Sequence, residues 1–112
     1  MTPEAAVAAL GRQIAQSGQD VTLTFVETGS SAAIPIRAFV RGYQPHELTG
    51  GIVQGDTLVV VSPTSLVVAS RLPRRNDRVT IAGRVRHIED VIPIYMGLAD
   101  QLVRLNMQVR GP

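Results

Sequence analysis

The 112-residue chain has no cysteine, no lysine and no tryptophan, and only two tyrosines and two phenylalanines. Without cysteine there are no disulfides, thiolate metal ligands or thiol nucleophiles, so the fold rests on its core or on its neighbours. Without lysine there is no Schiff-base amine and no phosphate-loop lysine, which rejects Gly50 to Gly55 with Asp56 and Thr57 as a nucleotide motif despite its glycine spacing. So few aromatic residues cannot form the row of stacking platforms used by single-strand nucleic-acid binders. Charge is also scarce, at 18% of residues, below the usual quarter. That scarcity fits either a surface covered by partners or a compact barrel with Thr, Ser and Gln on its outer face. No apolar run reaches membrane-spanning length, and Glu4 sits where a secretory signal avoids an acid. The expectation is a soluble, unprocessed protein with no membrane partner.

Chemistry is equally hard to find. His46 and His87 have no cysteine companions and no histidine at helical ligand spacing. Glu89 and Asp90 are adjacent, so on a regular strand they point to opposite faces and cannot act as a paired acid and base. The segment Gly29-Ser30-Ser31-Ala32 lacks the second glycine of a nucleophile elbow. The reading is a protein without catalytic residues, metal or cofactor, working by binding or assembly.

All eleven basic residues are arginine, which gives a pI of 9.9 with a formal net charge of only +2. Arginine presents a rigid, permanently charged fork suited to carboxylates, phosphates and packed interfaces, although a genomic base bias produces the same preference. Arg71, Arg74, Arg75 and Arg78 surround one polar turn, and Arg84 and Arg86 follow on the next hairpin. They are candidates for non-specific phosphate contact or for salt bridges to acidic neighbours.

The pattern of elements reads as one domain over residues 1–112. Thr2, Pro3 and Glu4 form a helix start, Val7, Leu10 and Ile14 recur at helical spacing, and Gly18 is a stop, giving a helix over 1–18 of about four turns. Its narrow, alanine-rich stripe suits packing on a barrel or on a neighbouring subunit. Residues 20–110 then read as β structure. Val21, Leu23 and Phe25 alternate with Thr22, Thr24 and Val26, and Ile36, Ala38 and Val40 alternate with Arg37, Phe39 and Arg41. Phe39 either lies outside between the two arginines, as an interface residue, or is turned inward by a bulge.

Residues 43–56 form a long loop with glycines and a proline but also with Leu48, Ile52 and Val53, which need a cover. A partner subunit or the chain's own barrel can supply it. Tyr43, His46, Glu47, Leu48, Ile52 and Val53 are therefore the candidate assembly residues, with Arg37, Phe39 and Arg41 beside them. The run Leu58 to Val61 indicates a central strand buried on both faces. Segment 62–72 fits either a short helical turn through Leu66 or a further strand. Val79 and Ile81 lead through an Ala82-Gly83 turn to Val85, Ile88 and Val91, whose spacing by threes calls for a bulge near Arg86 and His87. Segment 93–101 reads as a connecting loop, and the last strand places Val103, Leu105, Met107 and Val109 inward. The fold class is mainly β, a small barrel or compact sandwich with an N-terminal helix and one long loop.

Gly55-Asp56 before a valine-rich strand, then Pro73, Asp77, Val79, Ile81 and Gly83, then Val91, and a closing Val109-Arg110-Gly111, resemble the small β-barrel proteins of tailed-phage necks. These are the head-closure, or stopper, proteins of the head–tail connector, and the resemblance covers about residues 34–111. It implies a homo-oligomeric ring between adaptor or portal and tail, located in the virion and, during assembly, in the host cytoplasm. It also implies that the 43–56 loop projects into the channel or onto an adjacent ring, and that lumen-facing arginines meet packaged DNA. A tail-terminator or adaptor ring shares the same ingredients. A free-standing barrel that binds nucleic acid or peptide is the alternative of another class.

Overall fold

A computed structural model describes residues 2–27, 30–48, 50–52, 55–67, 69 and 71–111. Helix α1 spans Pro3–Ser17. The Thr2 hydroxyl accepts the Ala5 N–H at 3.1 Å, and Pro3 occupies the first turn, where no backbone donor is needed. The helix ends because Gly18 is extended, with φ −83° and ψ 179°, so glycine is needed there for room and not for a left-handed turn. A Cβ at Gly18 would lie 2.5 Å from the Ile14 carbonyl oxygen and 2.8 Å from that of Ala38.

Six strands follow: β1 Gln19–Glu27, β2 Ser30–Gly42, β3 Thr57–Val61, β4 Arg78–Ile81, β5 Arg84–Met96 and β6 Gln101–Arg110. They close into one antiparallel barrel in the order β1-β2-β3-β6-β5-β4, which decides between barrel and sandwich. Period-two alternation fills its interior with Val21, Leu23 and Phe25 from β1, Val59 and Val61 from β3, and Leu105, Met107 and Val109 from β6. Ile36, Ala38, Leu66, Val79, Ile81 and Ile88 complete this core.

Strand β3 is buried on both faces, as its apolar run requires. Leu58 and Val60 point outward and are covered by Leu10 and Ile14 of α1, with Phe39 and Tyr43 packed against the same cluster. Phe39 thus points out of the barrel as its alternation dictates, but it is half-buried beneath this second cluster instead of standing free between arginines. The open segment after β3 resolves as a 3-10 turn over Pro63–Leu66, with its Ser62 hydroxyl accepting the Thr64 N–H and Leu66 buried in the core.

Two sequence expectations are corrected. The bulge in β5 falls at Glu89, between Ile88 and Asp90, and not at Arg86 and His87. The extra residue places Ile88 opposite Val109 and Val91 opposite Met107, so both face the core while Val85 points outward and is exposed. Segment 93–101 is not a loop: β5 continues through Pro93 to Met96, turns at 97–100 and returns as β6. Pro93 hid this, yet a strand tolerates proline where one edge has no ladder partner. Among the described residues, the stretch from Asp90 to Met96 pairs only with β6.

The Ala82-Gly83 hairpin has positive φ at both residues, 52° and 80°, the geometry of a type I′ turn. Asn76 also has φ 77°, a conformation asparagine tolerates better than most residues. Among the described residues no helix is long and apolar enough to cross a membrane.

Candidate assembly surface

The loop over 43–56 starts from Arg41 on β2. Its guanidinium grips Glu47 with two bonds of 2.9 and 3.0 Å, and the Gln44 N–H adds a third at 2.7 Å. These bonds close the 3-10 turn Pro45–Glu47 and hold the Glu47 carboxyl down at about 2, Arg41 first and Gln44 second. The far end of the loop is fastened by Asp56, whose buried carboxylate accepts Arg110 Nε at 2.8 Å and Gln108 Nε2 at 2.7 Å. The same two side chains donate to the Gly51 carbonyl, at 3.1 and 3.0 Å. Leu48 and Ile52 are half-buried and His46 is exposed; Val53 lies outside the described residues. Where the loop is described, its own barrel anchors it.

Between this loop and the β5–β6 hairpin lies an open cleft of about 820 Å³. Arg41, Tyr43, Glu47 and Ile52 form its loop wall, Leu58, Asn106 and Gln108 its floor, and Asp90, Ile92 and Ile94 its opposite wall. The Glu89 bulge has a second effect here, because both Glu89 and Asp90 border the cleft instead of splitting to opposite faces. Glu89 stands 3.7 Å from Arg110. Burial pushes the Tyr43 phenol above its ordinary value, reinforced by the negative charges of Asp56 and Glu47.

Beyond the cleft the β5–β6 hairpin forms an apolar arm that the sequence reading passed over. Ile92 is 55% exposed, Tyr95 51%, and Leu98 at the tip is completely so. Ile92 and Ile94 straddle Pro93 at period two, which was the available signal. Ile94 and Arg104 also border a smaller groove of about 330 Å³ beside Ala6, Ala9 and Leu10 of α1, so one surface runs from the helix to the loop.

The arginines do not share one role. Arg37, a candidate interface residue, braces the helix end: its Nε and Nη2 donate to the carbonyls of Ile14 and Gly18 at 3.3 and 2.9 Å, the Ile14 oxygen also accepting the Gly18 N–H. Arg71 is committed to structure as well. It meets Asp77 at 2.6 and 2.9 Å and Glu27 at 2.6 Å, and its guanidinium lies 5.1 Å from the Phe25 ring centre. Arg74 joins Glu27 at 3.4 Å. Burial pushes the Asp77 carboxyl up, but Arg71 and the N–H groups of Val26 and Arg74 outweigh it, leaving it below the ordinary range. Arg86 lies across from Val79, half-buried, with its Nε buried and, among the described residues, unbonded. Arg75 borders the cleft, and Arg78 and Arg84 are exposed. The six arginines of the turn and hairpin therefore do not form a single patch.

No family model matches this chain, and no curated protein matches its sequence. Among the described residues, no three of His, Asp and Glu are grouped to hold a metal ion.

Proposed function

We propose that the chain is a structural subunit of a phage head–tail connector, a neck ring of the head-closure type that closes the DNA channel and docks the tail. The observation that supports this reading best is the uncovered apolar arm of Ile92, Tyr95 and Leu98 beside the cleft. Large apolar side chains left exposed along one hairpin suit an interface, and ring subunits bury surface on both flanks. The closed barrel is also the kind of fold that the neck resemblance implies.

The experiment is a pair of changes in the phage or prophage that carries the gene. Deleting the gene should give DNA-filled heads without tails, or heads that leak DNA, and Leu98→Asp should reproduce that defect while the purified variant keeps its melting temperature. Normal tailed particles after deletion would sink the proposal. Normal particles with Leu98→Asp would remove the arm from the interface. A free-standing peptide-binding module is the second reading, favoured by the cleft volume; it requires a deletion without any effect on particles.

A further inference from the structure

The β5–β6 hairpin ends in a tight turn over 97–100, in which Gly97 and Asp100 have φ 84° and 49° and the Asp100 N–H donates to the Gly97 carbonyl at 3.2 Å. The turn is braced from behind, because a Cβ on Gly97 would meet Pro3 Cγ at 3.1 Å. Leu98 therefore projects, fully exposed, from a tip that is held in place. It cannot reach the chain's own cleft. Leu98 lies two positions past the end of β5, whose pairing with β6 through Met96 keeps the tip away from the cleft-wall residues Ile92 and Ile94.

The cleft is preformed, since the bonds of Arg41 to Glu47 and of Arg110 to Asp56 and Gly51 fix its loop wall. Ile52 on that wall and Ile92 and Ile94 on the other give it apolar sides. Its charges are unevenly matched. Glu47 is paired with Arg41, Glu89 with Arg110, and the Asp90 carboxylate accepts the Val91 N–H. Arg75 and Arg104 also border the cleft and have no ion pair among the described residues. The arm is the converse: from Val91 to Val103 its single charged residue is Asp100, exposed and likewise without an ion pair among the described residues.

We propose that the cleft is the docking site for the β5–β6 arm of a second copy of this chain. Leu98 of one copy enters between Ile52 and the Ile92–Ile94 wall of the next, and Asp100 comes to the guanidinium groups of Arg75 and Arg104. Apolar tip meets apolar walls, and the one unpaired acid of the arm meets the two unpaired bases of the cleft, so shape and charge are complementary on the same molecule. Arm and cleft are different patches, so the contact is heterologous, each copy giving its arm to one neighbour and its cleft to another. The idea deepens the connector reading, on which it rests for the ring that such a contact builds when repeated; the docking itself belongs to the purified protein.

The test is site-directed cross-linking, which is clean because the chain has no cysteine of its own. Purified Leu98→Cys protein, loaded with a short bismaleimide, is mixed with Ile52→Cys protein, and covalent dimer is measured on a denaturing gel. Dimer should form readily there, and only at background with Arg84→Cys, whose exposed thiol stands six positions before Asp90 on β5, about 20 Å from the cleft. Asn106→Cys, on the cleft floor, gives the same product if the Ile52 variant is unstable. Arg75→Glu added to the Ile52→Cys partner should lower the yield about fivefold or more, because it sets an acid against Asp100, whereas Arg84→Glu should leave it within about twofold. Equal yields from Ile52→Cys and Arg84→Cys would reduce the product to random collision and overturn the proposal. So would a stronger product from loaded and unloaded Leu98→Cys, which would make the contact arm to arm, or no product from any pair, which would leave the cleft to another protein. None of these failures touches the deletion experiment on particles, which judges the connector reading alone.

Discussion

At the scale of single residues, two positions carry more than their size suggests. Gly18 sits where the Ile14 and Ala38 carbonyls leave no space for a Cβ. Gly18→Ala should cost about 1–3 kcal/mol in urea unfolding despite alanine's better intrinsic propensities, whereas Gly11→Ala, with open space around it, should be neutral or stabilising. Asp77 ties the turn before β4 to β1 through the Val26 N–H and to Arg71. Asp77→Asn leaves the Arg71 charge without its main partner and should cost about 3 kcal/mol at neutral pH. The acid response follows from the same groups. Asp77, Glu27 and Glu47 all titrate below their ordinary values of 3.8 and 4.5 when folded. The unfolded chain then binds more protons in that range, so their stabilisation is complete above about pH 5 and is lost as pH falls toward about 2. Thermal melts across that range should show it, and the gap between wild type and Asp77→Asn should narrow below pH 3.8.

At the scale of elements, the legibility of the sequence depended on how cleanly each strand kept its period. Strand β1 alternates without interruption, as does β6 from Leu105 to Val109, and both were readable residue by residue; the register of β6 shifts at Val103, which borders the groove against α1 and not the barrel core. Strand β5 was half lost, because the Glu89 bulge breaks its period and Pro93 imitates a loop. The arm's side chains, Ile92, Ile94 and Tyr95, resembled unplaced apolar residues for the same reason. The role of Arg37 was invisible for another: its partners are backbone carbonyls 23 and 19 positions away, and no pattern of side chains encodes them. Proline also has a use here. Pro93 on β5 and Pro35 on β2 lie in stretches that pair on one side only among the described residues, and proline offers no N–H to an approaching strand. Pro93→Thr should therefore leave the melting temperature within a few degrees while raising aggregation, measured by light scattering, because it makes the exposed edge a better template.

At the scale of the whole molecule, two apolar layers share strand β3: Val59 and Val61 inside the barrel, Leu58 and Val60 beneath the helix. Helix and barrel cannot separate without exposing one face of that strand. Far-ultraviolet circular dichroism and tyrosine fluorescence should therefore report one coincident thermal transition. A helix signal lost at a lower temperature than the barrel would contradict this coupling. The strand order has a further consequence. Strands β1, β2 and β3 are contiguous in the barrel wall, as are β6, β5 and β4, so the chain consists of two three-stranded panels, N-terminal and C-terminal. They meet along two seams, β3 with β6 and β1 with β4, and the second seam has only four residue pairs. A barrel assembled in this way can unzip along one short seam and hinge on the other, like a book. A copy opened in this manner could exchange panels with a neighbour before closing again.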